Sequence, residues 1–276
     1  MRDDIIQTEI HFLEDHGNRM GVSLWVDGKE SYAYQSRIIF DSACCIMAFI
    51  LLEYGRRKEE GGLIGNELLT YTEENFASGS GIIKLLPFGS KVKLNDCVEL
   101  MIAKSDHIAA NLVIDFLGLS KINETIRKHG FLHTCLKKKF LIPKVKNVGV
   151  TTPYEYARYY QGLLDGTFFG EEISKEFLCI FQKQVYKDIL TEKFQSDAQY
   201  VDAATKSGKA DGRIYGAQTD SYIADGGIIA TKKGRYIVSM LAEQKYDSKM
   251  SLADIKASMQ EISWQLYQIY LEGASS

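Results

Sequence analysis

The sequence of 276 residues lacks the cysteine patterns that build disulfide frameworks or zinc sites. Its five cysteines are odd in number, scattered and without a Cys-x-x-Cys motif; they are Cys44, Cys45, Cys97, Cys135 and Cys179. This usage is typical of free thiols in a reducing compartment. The five histidines are dispersed and have no ligand spacing either, so we expect no metal site and no cofactor.

An excess of positive charge is missing as well. The chain has 33 Lys and Arg against 36 Asp and Glu, a net charge of -3, which gives no reason to expect nucleic acid or an anionic membrane as a partner. The longest apolar run, residues 43–52, is too short to cross a bilayer. The first five residues carry two acids and no apolar segment, so no signal peptide is visible and we expect a cytoplasmic protein. Nothing in the composition predicts an oligomeric state.

Apolar periodicity predicts an α+β protein whose strands lie towards the two ends of the chain. A helix over residues 3–17 precedes a hairpin of strands at 20–26 and 30–35, joined by the turn Asp27-Gly28. The middle of the chain has helical patterns at 44–55, 95–105, 107–117, 120–129, 153–165 and 171–186. The last part has strand patterns at 200–205, 213–223, 227–231 and 236–242, and then a helix at 251–271.

This layout predicts one antiparallel sheet, flanked by helices and built from both ends of the chain, with an all-helical lobe inserted between them. The sequence has only three prolines and no repeat, linker or low-complexity tract, so we expect a single domain. Its α/β lobe would comprise residues 1–39 and 190–276, and its helical lobe residues 40–189.

Three short motifs follow one another along the chain: Phe40-x-x-x-Cys44-x-x-Met47, Ser105-Asp106-His107 and Lys206-Ser207-Gly208. In order and distance they resemble the Ser-x-x-Lys, Ser-Asp-Asn and Lys-Thr/Ser-Gly motifs of class A β-lactamases and penicillin-binding proteins. The resemblance extends over about residues 3–270 and includes Asp225-Gly226-Gly227, which is similar to the strand that pairs with the Lys-Thr-Gly strand. It implies the class A β-lactamase fold, with exchanged residues at the catalytic positions.

The register of the first motif decides which residue takes the nucleophile position. Aligning Phe40 with the family's phenylalanine places Cys44 there and keeps Gly61 and Leu63 in step with the family. A shift of two residues would make Ser42 the nucleophile and put Cys45 in place of the lysine, but it loses these anchors. Neither register provides a lysine one helical turn after the nucleophile.

Cys44 is the candidate nucleophile because a thiol, with a pKa of about 8.5, is partly ionised near neutrality without a lysine partner. A helix start and the nearby Lys206 would lower the pKa of this thiol further. The alternative is that Cys44 and Cys45 are small buried apolar residues beside Ile46 and Met47.

Two residues of the second motif complete the predicted catalytic group. The resemblance places His107 where the family has an asparagine close to the nucleophile, so its imidazole is the candidate base for Cys44. Ser105 would relay protons between Cys44 and Lys206. The alternatives are that His107 is an ordinary polar residue with its hydrogen bonds satisfied, and that Ser105 or Asp106 caps the helix of residues 108–117. Asp106 resembles the family's structural aspartate and has no catalytic role here.

The third motif is the best preserved and predicts a binding site for a small-molecule or peptide ligand with a carboxylate. Lys206 and Ser207 would bind the carboxylate through charge-assisted hydrogen bonds. Gly208 would allow close approach of the substrate, and the N–H groups of Lys209 and Cys44 would form an oxyanion hole. The alternative is a solvated edge strand protected by lysines.

The family's glutamate for hydrolysis of the acyl-enzyme has no counterpart, because residues 131–152 contain no Asp or Glu. Two hypotheses therefore stand ahead of a working β-lactamase. The first is an acyl-transfer enzyme or amide/ester hydrolase that uses Cys44 and His107; the second is an inactive binding module that keeps the fold and the carboxylate site.

Overall fold

The computed structural model describes residues 2–140, 148–212 and 218–273. Within these ranges the chain forms eight α-helices: α1 (Arg2–Asp15), α2 (Ile46–Glu59), α3 (Leu94–Ala103), α4 (His107–Leu117), α5 (Leu119–Lys128), α6 (Pro153–Leu164), α7 (Glu171–Gln182) and α8 (Leu252–Gly273). It also forms eleven strands: β1 (Arg19–Val26), β2 (Lys29–Tyr34), β3 (Phe40–Asp41), β4 (Leu68–Thr70), β5 (Lys91–Lys93), β6 (Cys135–Leu136), β7 (Gly149–Thr151), β8 (Tyr200–Thr205), β9 (Gly208–Ala210), β10 (Ser221–Thr231) and β11 (Gly234–Gln244).

The central sheet is antiparallel and combines strands from both ends of the chain. Its order is β2-β1-β11-β10-β8, and the short strand β9 pairs with the first part of β10. The hairpin between β1 and β2 turns at Asp27 and Gly28, which both have positive φ angles, 50° and 74°. Such a turn matches the right-handed twist of the strands and fixes their register.

Both faces of this sheet are buried, and the period of two along each strand divides the side chains between them. On β11, Val238 and Met240 face a cluster shared with α1 and α8, whereas Ile237 and Leu241 face a second cluster shared with α2 and α6. The sheet is therefore a middle layer, and the second cluster joins it to the helices of the middle of the chain.

Helix α2 is the centre of the helical part, since every residue from Ile46 to Gly55 is buried. An apolar surface on all sides is typical of a helix surrounded by other elements. The same part of the chain contains two small antiparallel sheets, β3-β7-β6 and β4-β5, so it is predominantly rather than entirely helical. The lobe boundaries at about residues 39 and 190 stay a prediction.

Several predicted elements differ from the structure. Helix α2 ends at Glu59, four residues later than expected. The strands expected at 227–231 and 213–223 share one continuous strand, β10, which begins at Ser221; residues 213–217 lie outside the described residues. Gly226 and Gly227 do not break this strand, because neighbouring groups pack closely against them. A Cβ atom on Gly226 would lie 2.5 Å from the Tyr156 ring, and one on Gly227 would lie 2.3 Å from the Ala204 carbonyl oxygen of β8. Helix α7 ends at Gln182, four residues earlier than expected.

None of the helices in the described ranges is both long enough and apolar enough to cross a membrane.

Candidate active site

A tight turn at the start of α2 presents Cys44 to a cleft. Strand β3 ends at Asp41, and residues Ala43–Cys45 form a short 3-10 helix that leads into α2. Ala43 has a φ of 44°, and its N–H donates to Asp41 Oδ1 at 2.9 Å. A left-handed non-glycine residue is uncommon and concentrates at functional sites. Cys44 is 5% exposed, while the Cys45 thiol points away and donates to the Lys206 carbonyl oxygen at 3.1 Å.

The Cys44 thiol meets His107, as the second motif predicts. Its Sγ lies 3.4 Å from His107 Nε2, within hydrogen-bond reach for sulfur. Burial on its own raises the pKa of Cys44, but the imidazole of His107, the ammonium of Lys206 and the N–H of Lys209 outweigh burial and lower it below the ordinary value. The arrangement thus favours the thiolate, which is the nucleophilic form of cysteine.

His107 is the first residue of α4, and its own N–H donates to the Ser80 carbonyl oxygen at 3.1 Å. Its ring lies against Phe140, with centroids 5.1 Å apart. Nδ1 is buried and has no hydrogen-bond partner among the described residues. Nε2 is therefore the nitrogen that can exchange a proton with Cys44.

Lys206 lies behind the cleft rather than in its wall. It is fully buried, and its Nζ donates to Ser105 Oγ at 2.5 Å and to the Ser207 carbonyl oxygen at 2.6 Å. Burial lowers the pKa of Lys206, and the nearby Cys44, Cys45 and Asp225 oppose that shift. Ser105 and Ser207 line the cleft in front of it. Ser105 Oγ, rather than Lys206 Nζ, therefore lines the cleft, and binding of a carboxylate by Lys206 stays a prediction.

Gly208 lets strand β9 come against the turn that carries Cys44. A Cβ atom on Gly208 would lie 2.6 Å from the Cys44 nitrogen and 2.9 Å from the Cys45 nitrogen, distances that real Cβ atoms do not adopt. This approach brings the N–H of Lys209 to the Cys44 thiol. The structure thus shows Gly208 allowing two backbone segments to approach each other, whereas the predicted close approach of a substrate stays a prediction.

The cleft has a volume of about 450 Å³ and is lined by residues from seven parts of the chain. Its walls are Cys44, Ser80, Ser105, Tyr186, Asp188, Ile189, Ser207, Gly208, Lys209, Ile223, Leu252, Ala253 and Lys256. Ser42, the alternative nucleophile, is fully buried and does not line it. The geometry therefore favours the register that places Cys44 at the nucleophile position, with Met47 fully buried at the position of the family's lysine.

Acidic side chains near the site serve structural contacts. Glu155 is 4% exposed and accepts hydrogen bonds from the backbone of His133 and the hydroxyl of Thr134. Asp188, the acid in the cleft wall, forms an ion pair with Lys256. Within the described ranges no group of three or more His, Cys, Asp or Glu side chains could hold a metal ion.

Asp225 is a residue near the site whose environment the sequence motifs did not reveal. It is fully buried in β10, and its carboxylate accepts the N–H of Gly226 at 2.9 Å and that of Leu190 at 3.4 Å. Burial raises its pKa to about 8, although these donors and Lys206 act in the opposite direction. The available signal was a lone acid in the short stretch between the predicted strands 213–223 and 227–231.

Replacing Asp225 with Asn is expected to flatten the dependence of stability on pH. The folded pKa of about 8 exceeds the ordinary 3.8, so folding retains a proton that the unfolded chain releases. The contribution of this carboxyl to stability is complete below about pH 4 and is lost as the pH rises to about 8. Urea denaturation at several pH values should show that the free energy of unfolding declines less with rising pH in the variant than in the wild type. Parallel curves for the variant and the wild type would contradict this, and exposed Asp96→Asn is the matched control.

The model of the beta-lactamase enzyme family matches residues 3–270. A comparison with curated proteins gave no match.

Among solved structures, the chain is similar to a beta-lactamase from Sphaerobacter thermophilus DSM 20745, with 22% identity, 95% of each chain covered and a TM-score of 0.83. It is similar to PBP-A, with 21% identity, coverage of 98% of this chain and 96% of that one, and a TM-score of 0.84. It is also similar to a variant of PBP-A in an acyl-enzyme complex with penicillin G. The identity is 21%, the match covers 96% of this chain and 97% of that one, and the TM-score is 0.80. These likenesses confirm the predicted α+β fold of class A β-lactamases.

Proposed function

The chain belongs to the beta-lactamase enzyme family, and from this premise we propose that it is an acyl-transfer enzyme or amide/ester hydrolase that uses Cys44 as nucleophile. The observation that carries the proposal is the 3.4 Å contact between His107 Nε2 and the Sγ atom of Cys44, a residue in the wall of the cleft. Its substrate carries a carboxylate, and it is not an efficient β-lactamase.

The first half of the reaction uses four groups of this chain. His107 Nε2 takes the thiol proton, and the Cys44 thiolate attacks the carbonyl carbon of the substrate. The N–H groups of Cys44 and Lys209 stabilise the negative charge that develops on the carbonyl oxygen. The bond to the leaving nitrogen or oxygen then breaks, His107 returns its proton to the leaving group, and a thioester remains on Cys44.

In the second half, water or another acceptor attacks the thioester carbon. His107 removes the proton of the acceptor and returns it to the Cys44 sulfur, which leaves as a thiol. No carboxylate of the segment 131–152 takes part, since that segment contains none. With the serine, the lysine, the asparagine and this glutamate all exchanged, hydrolysis of penicillins by the family's usual route is not expected.

The carboxylate of the substrate is held by the hydroxyl of Ser105, and by that of Ser207 when it turns away from the Tyr186 carbonyl oxygen, to which it donates at 3.2 Å. Both line the cleft, and Ser105 Oγ accepts a hydrogen bond from Lys206 Nζ, so its proton is free to point towards the ligand. Lys206 supplies positive charge from behind, where solvent does not screen it. The proposal extends to a cytoplasmic setting, which the odd number of scattered cysteines supports.

One observation favours the second candidate, a binding module without catalysis. His107 Nδ1 has no partner among the described residues, whereas a catalytic histidine is ordinarily oriented by a third group. In this case the Ser105 and Ser207 hydroxyls would still hold a carboxylate, but no acyl group would reach Cys44.

The pH dependence of Cys44 alkylation by iodoacetamide separates the two candidates. We expect a midpoint below the ordinary thiol pKa, about 8.5, because His107, Lys206 and the Lys209 N–H outweigh burial. In His107→Ala the midpoint should rise, so that the rate near neutrality falls. Intact-protein mass and peptide mapping identify the modified thiol. An inert Cys44, or a midpoint indifferent to His107, would contradict the enzyme and favour the binding module.

A further inference from the structure

Part of the lining of the cleft is apolar, and we name this part the apolar arm. Its walls are Ile189, Ile223, Leu252 and Ala253. The first three belong to the apolar cluster between the sheet and α8, and each is at most 5% exposed. An apolar wall in a cleft with a few polar groups is typical of a pocket for a small molecule.

The arm adjoins the carboxylate site rather than the opposite side of Cys44. Ile223 is the cross-strand partner of Lys209 in the pairing of β9 with β10. Ile189 follows the segment of Tyr186, whose carbonyl oxygen accepts the Ser207 hydroxyl at 3.2 Å. A ligand whose carboxylate lies at Ser207 would therefore extend its neighbouring substituent into the arm.

Two charged residues that line the cleft balance each other. Lys256 and Asp188 both line the cleft and pair with each other, so neither presents an unneutralised charge to a ligand. A second charged group on the ligand would gain little there and would lose its hydration against the isoleucines and Leu252. An uncharged apolar group buries its surface without that loss.

We propose that the apolar arm selects substrates with a large aliphatic or aromatic group next to the carboxylate, as in a carboxylic acid derived from leucine or phenylalanine. This inference rests on the carboxylate site proposed above and adds the chemistry of the neighbouring substituent. In this inference the residues of the arm discriminate between substrates with a small and with a large substituent next to the carboxylate; they are Ile189, Ile223, Leu252 and Ala253.

Binding of N-acetyl amino acids tests the arm without any chemistry at Cys44. Isothermal titration calorimetry would compare N-acetyl-leucine and N-acetyl-phenylalanine with N-acetyl-alanine, using both enantiomers of each. We expect the better leucine enantiomer to bind at least about 10-fold more tightly than the better alanine one, because each buried methylene contributes roughly a fourfold gain. N-acetyl-leucinamide, which lacks the carboxylate, should bind more weakly than N-acetyl-leucine.

Two matched variants of one helix locate the effect. Ala253 is exposed at the start of α8 and lines the arm, whereas Ala257 is exposed one turn later and does not. Ala253→Trp should remove the preference for leucine over alanine, and Ala257→Trp should keep it. Equal binding of leucine and alanine, absence of binding, or a preference that survives Ala253→Trp would overturn the inference.

The result is separable from that of the proposed catalysis. A leucine preference that Ala253→Trp removes supports the arm even where Cys44 proves inert to alkylation, in which case only the nucleophile fails. Equal binding of N-acetyl-leucine and its amide would instead remove the carboxylate site, and the inference with it.

Discussion

Replacing Cys44 with serine is expected to lower the rate of acyl-enzyme formation by at least about 1,000-fold. A serine hydroxyl ionises far less readily than a thiol, and here it would have to rely on His107 alone. In the register that places Cys44 at the nucleophile position, Met47 stands where the family has a lysine, and it is fully buried, so no ammonium or amine of that position can help. The substitution removes one property, the ready ionisation of sulfur, and leaves the size of the side chain almost unchanged.

The rate can be followed with p-nitrophenyl acetate, whose release of nitrophenol in a stoichiometric burst reports acylation. Intact-protein mass spectrometry then detects the acetyl group, and peptide mapping assigns it to Cys44. Cys45→Ser is the matched control, because Cys45 is fully buried and its thiol is directed to the Lys206 carbonyl oxygen. It should keep most of the wild-type rate.

Three results would each contradict the role of Cys44. The serine variant could keep a rate close to that of the wild type, the acetyl group could map to Ser42, or Cys45→Ser could lose as much as Cys44→Ser. Wild-type protein that is acetylated no faster than Cys44→Ser would support the binding module instead. Thermal unfolding of both variants checks that each is folded.

The three motifs were sufficient to predict which distant residues meet. Cys44, Ser105, His107 and the segment from Lys206 to Lys209 lie together because the fold brings the start of α2, the start of α4 and strand β9 to one cleft. The motifs could not predict that Lys206 would be buried behind the two serines. Burial depends on the packing of Tyr156, which belongs to no motif, and of Asp225, whose family-like stretch gave no sign that its side chain lies beside Lys206.

The apolar arm and the continuity of β10 could not be predicted from the sequence, for a similar reason. Leu252 and Ala253 are about two hundred residues from Cys44, and only the antiparallel sheet brings α8 to the cleft. Two consecutive glycines ordinarily interrupt a strand pattern. In β10 they remain extended because Tyr156 and β8 pack where side chains would be, a contact that no local pattern contains.

Asp106 is the residue whose loss should destabilise the protein most among those around the site. It is fully buried, and its carboxylate accepts four backbone N–H groups. Oδ1 accepts those of Ile108 and Ala109 at 3.0 and 2.9 Å, which caps α4, and Oδ2 accepts those of Ile82 and Ile83 at 2.6 and 2.9 Å. Gly81, with a φ of 116°, is the neighbour that lets this carboxylate in, since a Cβ there would lie 2.2 Å from Asp106 Cγ.

Asp106→Ala is therefore expected to lower the free energy of unfolding by about 4 kcal/mol, because it leaves four backbone donors unpaired at once, three of them in buried contacts. Urea denaturation followed by circular dichroism measures the loss. Asp96→Ala is the matched control, since Asp96 is an exposed acid in the first turn of α3 and should cost at most about 1 kcal/mol. Equal losses for the two variants would contradict the structural role of Asp106. Because Asp106 caps the helix that begins with His107, the fraction of the variant that stays folded should also be alkylated more slowly at Cys44. Such an effect would connect the cap of α4 to the reactivity of the thiol.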